Sequence, residues 1–265
     1  MKPIVDISVW GLAAGYLLLI FPLAIALYQR VPILGETGIA IVRMTVQLLF
    51  VGFYLQVLFK LNNAWLNVAW VAVMVGVADG SILRSCRLRV RRFALPLFAA
   101  LLAGTAIPVL VMVGVIVRPG NWFDAQFVIP LAGMVLGNCL RADIIGLKNF
   151  YEGIARSEKA YYQSLAGGAR LHEAVHPYFR EALQAALLPT VASIATIGLV
   201  ALPGMMTGVI LAGAAPLTAI KYQIAIMIAI LAGTAITVFL AVRMTIPGSF
   251  SAYGILDRSI FRLRA

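Results

Sequence analysis

The sequence predicts an all-α integral membrane protein with about seven transmembrane helices and one helical loop on the cytoplasmic side. Hydrophobic residues make up 62% of the 265-residue chain, a composition foreign to water-soluble domains. Uncharged stretches near the length of about 20 residues that a spanning helix needs recur along the chain. Charged residues are only 12% of the total and collect between those stretches. Barrel strands are excluded, because the stretches are too long and show no inside-outside alternation.

The first span is 7–29. It lacks a Lys- and Arg-rich leader and a small-residue cleavage site, so it is expected to be retained. The second is 38–59, with Arg43 near one end; the third is 61–78 and the fourth 93–117. The fifth, 125–140, is the shortest and carries Pro130, Gly133, Gly137 and Asn138. The sixth lies in the uncharged run 182–220, and the seventh is 222–242. Pro203-Gly204-Met205-Met206-Thr207-Gly208 interrupts the sixth. Irregular backbone at membrane depth is tolerated only where protein covers it or where it lines a wet cavity. Broken helices of this kind are a device of transporters. Fifteen residues of helix from Leu187 rise about 22 Å, which puts the break in the outer half of its span. On these boundaries no span interior carries Asp or Glu.

Seven spans put the termini on opposite sides. With the amino terminus outside, the inner segments are 28–37, 79–92, 141–181 and the basic tail 243–265. Of the 21 basic residues, only Lys2, Lys60, Arg118 and Lys221 then lie outside. Cytoplasmic segments of membrane proteins collect Lys and Arg, so this bias fixes the orientation, amino terminus outside and carboxyl terminus cytoplasmic. It also accounts for the net charge of +11 without nucleic acid. The whole chain, 1–265, forms a single transmembrane domain on this reading.

No G-x-x-x-x-G-K-[ST] phosphate loop, H-E-x-x-H or G-x-S-x-G occurs, so the chain has no ATP site of that kind and no soluble catalytic domain. Cys86 and Cys139 are too few for a disulfide framework or a Cys-rich zinc site. An intramembrane enzyme is disfavoured by the lack of paired carboxylates, a Ser/His set or a metal motif in the spans.

The segment 141–181 is long for a structureless connection, so it should hold helices of its own. Glu152 and Arg156 stand at i,i+4 in the favourable order. A helix over 157–166 would stop at Gly167-Gly168. Beyond it Leu171, Val175, Phe179, Leu183 and Leu187 recur every four residues, with His172, Glu173, His176, Arg180, Glu181 and Gln184 between them. Pro177 is a first-turn proline or a kink. Such a face suits a helix lying on lipid headgroups and equally a knob for a groove on a cytoplasmic partner.

Ile129-Pro130-Leu131-Ala132-Gly133-Met134-Val135-Leu136-Gly137-Asn138 resembles the fifth-span motif of the FetB-type permeases, membrane subunits of a bacterial ABC system associated with iron export. Leu188-Pro189-Thr190, Gly198 through Gly208, and Ala219-Ile220-Lys221-Tyr222-Gln223-Ile224 resemble that family's carboxyl-terminal signature. Leu165-Ala166-Gly167-Gly168-Ala169 stands where the family has a Leu-Gly-Ala turn. The resemblance is dense from about residue 129 to 230 and thinner over the first four spans. It implies a permease without its own ATPase site, paired with a separate cytoplasmic ATPase, with two copies of each, in a plasma membrane (the inner membrane of a bacterium). It also implies that Leu165, Gly167, Gly168 and Ala169 touch that ATPase. No cofactor is expected in this chain; ATP and Mg belong to the partner. Two departures stand out, the extra Gly167 and Cys139 in place of a small residue. The resemblance implies iron or a related metal species as the cargo; plant relatives are linked to aluminium tolerance, so family membership does not fix which. A gradient-driven carrier and an ABC permease for a non-metal substrate are the alternatives.

The expected translocation path or gate comprises Asn138, Pro203, Gly204, Met205, Met206, Thr207, Gly208 and Gln223. An amide in hydrocarbon is costly and faces a cavity or a neighbouring helix. Pro203 removes an amide donor, and Gly204 and Gly208 widen the backbone's choices, leaving carbonyls free to line a path. Met205 and Met206 suit flexible packing better than ligation of iron(III), which prefers oxygen. No metal site is assigned. Gln47 is also polar within a span. Gly133-x-x-x-Gly137 and Gly204-x-x-x-Gly208 could seat a neighbouring helix or a homodimer contact. Lys221 and Arg43 snorkel, and Asp143 is expected to pair with Arg141. His172 and His176 have a spacing that can bind metal but are expected as surface histidines.

Overall fold

A computed structural model describes residues 8–120, 122–200, 202–251 and 253–261. Lys2, the start of the first predicted span, Ala201 in the predicted signature and the last four tail residues lie outside them. The described residues form α1 (Val9–Tyr16), α2 (Ile20–Tyr28), α3 (Leu34–Leu61), α4 (Ala64–Ser85), α5 (Val90–Val111), α6 (Ala125–Arg156), α7 (Glu158–Ala166), α8 (Leu171–Thr196), α9 (Gly204–Leu211) and α10 (Pro216–Ser249). Two 3-10 turns, Leu17–Leu19 and Arg258–Ile260, and a π-helical turn, Met112–Val117, accompany them, and the strand-like pairing among the described residues is limited to isolated β-bridges. The chain is a helical membrane protein. Among the described residues, six stretches are long and apolar enough to cross a bilayer: Val9–Tyr28, α3, α4, Val90–Val117, α6 and α10. The expected sixth crossing is not one helix. It is divided between the second half of α8, an irregular segment and α9.

The described residues fall into two units, 8–61 with 211–214 and 62–210 with 215–261. In the first, Pro22 cannot donate to Leu18, and the chain switches to a 3-10 turn at Leu17–Leu19 before α2. Tyr16 and Thr45 share a hydrogen bond of 2.5 Å. Gln47 lines a shallow groove on α3 with Glu36 and Arg43.

The second unit is built on α10, which packs most extensively against α5 and α6. Small residues permit this. A Cβ on Gly104 would fall 2.6 Å from Thr237 Cβ, and one on Gly233 would fall 2.6 Å from the Gly104 carbonyl oxygen. Pro108 has no amide to offer Gly104, so that carbonyl is free to accept the Cys139 thiol at 3.9 Å. Both cysteines are free and buried. The predicted Gly133-x-x-x-Gly137 seat is looser: a Cβ on Gly133 would meet only the mobile end of Met74, and Gly137 has open space beside it.

The predicted boundaries at Ala78 and Leu140 fall inside helices. α4 runs on to Ser85 and α6 to Arg156, so Asp79 and Asp143 are helix residues, and both are buried. This corrects the expectation that the spanning helices carry no carboxylate. Charge marked the edge of the apolar window, whereas backbone hydrogen bonding continues past it.

At one end of this unit Asn63 caps α4 and Asp124 caps α6. There Asn62 accepts from the Ala125 amide, and Asn67 donates to the Phe123 carbonyl. At the other end α10 continues past Val242 to Ser249, and residues 250–251 and 253–261 fold back as a strap rather than trailing as a basic tail. Ser249 shares a 2.6 Å hydrogen bond with Tyr151. Phe250 packs edge-on against Phe150, and Phe261 against Tyr151. The Ile260 carbonyl accepts from the Arg89 amide at 3.0 Å, and Asp257 pairs with Arg92 at 2.7 Å.

Candidate functional site

Gly167-Gly168 ends α7 as its sequence predicts, by a double hydrogen bond. The Gly168 amide donates to Leu165 at 3.0 Å and the Ala169 amide to Ser164 at 3.1 Å. That pattern needs a left-handed residue after the cap, and Gly168 supplies it with φ +93. Gly167 has φ −75 and acts as the cap itself, so the extra glycine lengthens the turn without straining it. The turn is braced from behind. Tyr161 donates to the Gly254 carbonyl at 2.6 Å, and Leu165 lies where a Cβ on Gly254 would meet it at 3.0 Å. Burial pushes the Tyr161 hydroxyl up to about 12, so it stays a donor at neutral pH. Desolvation likewise pushes the Cys86 thiol up to about 12, which makes it a poor nucleophile.

Three residues after Gly168, α8 begins. The Glu173 side chain accepts from the Arg170 amide at 2.7 Å and closes the helix start. The 26 residues of α8 extend about 39 Å. His172 and His176 are exposed and line a groove of 660 Å³ with Arg170, Phe179, Phe239 and Arg243. Among the described residues no group of three metal-ligating side chains occurs.

Towards its far end α8 forms one wall of a cavity of 320 Å³ shared with α6 and α10, lined by Asn138, Arg141, Pro189, Thr190, Ser193, Ile197 and Met227 among others. Asn138 is thus one of the cavity's lining residues. Its amide donates to the Met134 carbonyl at 2.8 Å, and its oxygen accepts from Arg141 at 3.4 Å. Arg141 also reaches the Gly137 carbonyl at 3.4 Å. The expected Arg141–Asp143 pair does not form. Asp143 lies on another face of α6, where its Oδ2 accepts from Thr237 at 2.8 Å. Among the described residues its Oδ1, like Asp79 Oδ1, is buried without a hydrogen-bond partner. The Glu152–Arg156 pair forms, at 3.8 Å. Gln223 is buried on α10, one turn before Met227.

The break is placed differently from its prediction. α8 ends at Thr196, and the described residues between it and α9, 197–200 and 202–203, are irregular, with Gly198 at φ +86. Pro203-Gly204 opens α9 rather than interrupting a helix: the Thr207 amide and hydroxyl both donate to the Pro203 carbonyl, at 3.0 and 3.1 Å. Proline is at home at a helix start, where its amide would have no partner. Met205 packs against the core, whereas Gly204 and Gly208 have open space beside them. None of Pro203, Gly204, Met205, Met206, Thr207 and Gly208 lines the cavity; Ile197 links it to the break. Arg141, Thr190 and Ser193 were missed as site residues. Their signal was present: two hydroxyls three residues apart in an uncharged run, after a helical proline.

Over residues 9–250 the chain matches the family described as "Uncharacterised protein family (UPF0014)". It is 36% identical over 221 residues to UPF0014 membrane protein slr1647 of Synechocystis, covering 82% of this chain and 85% of that one. It is 32% identical over 216 residues to protein ALUMINUM SENSITIVE 3 of Arabidopsis thaliana, covering 81% and 77%. It is 29% identical over 236 residues to "Probable iron export permease protein FetB" of Escherichia coli, covering 89% of each. No solved structure matches it significantly.

Proposed function

The chain belongs to the UPF0014 family, and from that premise we propose that it is the permease subunit of an ABC transporter that exports iron or a related metal species. A separate cytoplasmic ATPase binds the ATP and Mg and powers the movement. The permease works as a homodimer in the plasma membrane with its amino terminus outside. The relative named as an iron export permease supports the cargo.

The observation that carries the mechanism is the course of α8. One helix starts beside the braced turn at Leu165, Gly167, Gly168 and Ala169 and ends at the break. Closure of the ATPases pushes the turn, and α8 carries the displacement. Pro189 leaves the Ala185 carbonyl without its helical donor, which loosens α8 beside the cavity. The walls at Asn138 and Thr190 then part, and the break after Thr196 gives way on the exit side. The motor shifts the equilibrium because its affinity differs between the two states. Reconstitution with the ATPase tests this: metal should stimulate ATP hydrolysis and drive ATP-dependent flux.

A gradient-driven carrier is the second reading. It is favoured by Asp79 and Asp143, since buried carboxylates in spanning helices are the currency of proton-coupled transport. Uphill flux in vesicles containing this chain alone would establish it and exclude the ABC reading.

A further inference from the structure

We propose that the cargo enters the cavity between α6, α8 and α10 as a net-anionic complex of the metal with small carboxylate or phosphate ligands, and that Arg141 is the residue that selects it. The inference rests on the transport reading above and narrows its substrate class.

The cavity wall holds no carboxylate, thiolate or imidazole. Its polar side chains are Arg141, Asn138, Thr190 and Ser193, and its one sulfur ligand is the thioether of Met227. Asp143 is only two residues from Arg141, yet it is turned away and engaged by Thr237. Hard cations such as iron(III) and aluminium(III) need anionic oxygen ligands, and the wall offers them none. It offers a guanidinium instead, which repels a bare cation.

The same wall is suited to an anion. Arg141 donates through Nε and Nη2, both at 3.4 Å and both to neutral oxygens. Such long bonds are weak and yield readily to a carboxylate or phosphate, which a guanidinium binds in a two-pronged, charge-assisted way. The Ser193 hydroxyl is occupied by the Pro189 carbonyl at 2.9 Å, so the guanidinium is the principal donor. At 320 Å³ the cavity is at the small end of ligand sites. It has room for a metal with compact ligands and too little for a large chelator.

The test uses the permease reconstituted with its ATPase and four additions: ferric citrate, ferric pyrophosphate, uncomplexed ferrous iron, and metal-free citrate or pyrophosphate. At least one ferric complex should stimulate ATP hydrolysis, and the two complexes separate carboxylate from phosphate recognition. Ferrous iron and the metal-free ligands should not stimulate. Binding of radiolabelled ferric complex to the detergent-solubilised permease, measured without ATP, should weaken at least tenfold in Arg141→Gln and recover in part in Arg141→Lys. Losing even one prong of the charge-assisted pair accounts for this lower bound, and tenfold corresponds to about 1.4 kcal/mol. Stimulation by ferrous iron alone, or unchanged binding in Arg141→Gln, overturns the inference and leaves the transport reading standing. Equal stimulation by metal-free ligand overturns it too, because the metal is then not the cargo. Silence in every arm removes the transport reading and the inference together.

Discussion

The turn at Gly167-Gly168 and the break after Thr196, described at 197–200 and 202–203, are both irregular, both contain a positive-φ glycine, and are opposite in construction. At the turn, the carbonyls of Ser164 and Leu165 find donors, and Leu165 is backed by Gly254 and Tyr161. At the break the hydrogen bonds are local, from Ile197 to Ser193 and from Leu199 and Val200 to Thr196. Leu199 and Val200 are 92% and 82% exposed. The proposed mechanism needs stiffness where the linkage is pushed and compliance where it opens, and α8 runs from the braced turn to the exposed break.

Four measurements break or sharpen that contrast. Gly254→Val strikes the stiff side hardest, because the new side chain meets Leu165 at 3.0 Å with the backbone held at φ +75. A loss of about 2–4 kcal/mol is expected, read as a lower thermal midpoint in detergent; an unchanged midpoint would show that the strap is not part of the cooperative fold. Gly168→Trp forces a bulky residue to φ +93 at a cost of about 1–2 kcal/mol. The protein should still insert while ATP-driven flux is lost, and undiminished flux would refute the turn's coupling role.

Pro203→Leu tests the compliant side. Stability should change by less than about 0.5 kcal/mol at so exposed a boundary, while metal export in cells falls several-fold. Export at the wild-type rate would show that the break is not a gate. The smallest effect concerns acid. Hydrogen bonds from Ser259 and Arg92 hold the Asp257 carboxyl down at about 2, below the ordinary value of about 3.9. A depressed folded value means that the strap's extra stability is present above about pH 4 and fades as pH falls towards 2. Asp257→Asn should flatten that limb of the acid-stability curve; an identical limb would mean that the pair is idle.

The turn was legible in the sequence because two adjacent glycines after a helical pattern meet a local requirement of the helix end. The spans were legible because lipid selects composition directly. Asn138 was legible because an amide is conspicuous among apolar neighbours. The extent of α4 and α6 was not, since hydropathy reports the solvent around a helix and says nothing about how far its hydrogen bonds continue. Nor was the approach of Gly104 to Gly233, because small residues occur in every span and only the packed pair distinguishes these two. Asp143 misled for a similar reason: Arg141 is near it in sequence, but two residues along a helix turn the side chains to different faces. The strap escaped notice because its partners, Tyr151 against Phe261 and Tyr161 on Gly254, lie more than ninety residues away.

That strap has a consequence for biosynthesis. Residues 250–261 follow every helix they fasten, so during translation the faces of Phe150, Tyr151 and Tyr161 stay uncovered until the strap itself leaves the ribosome. A nascent chain halted shortly after α10 would show its lipid-embedded helices in place and its aromatic corner bare.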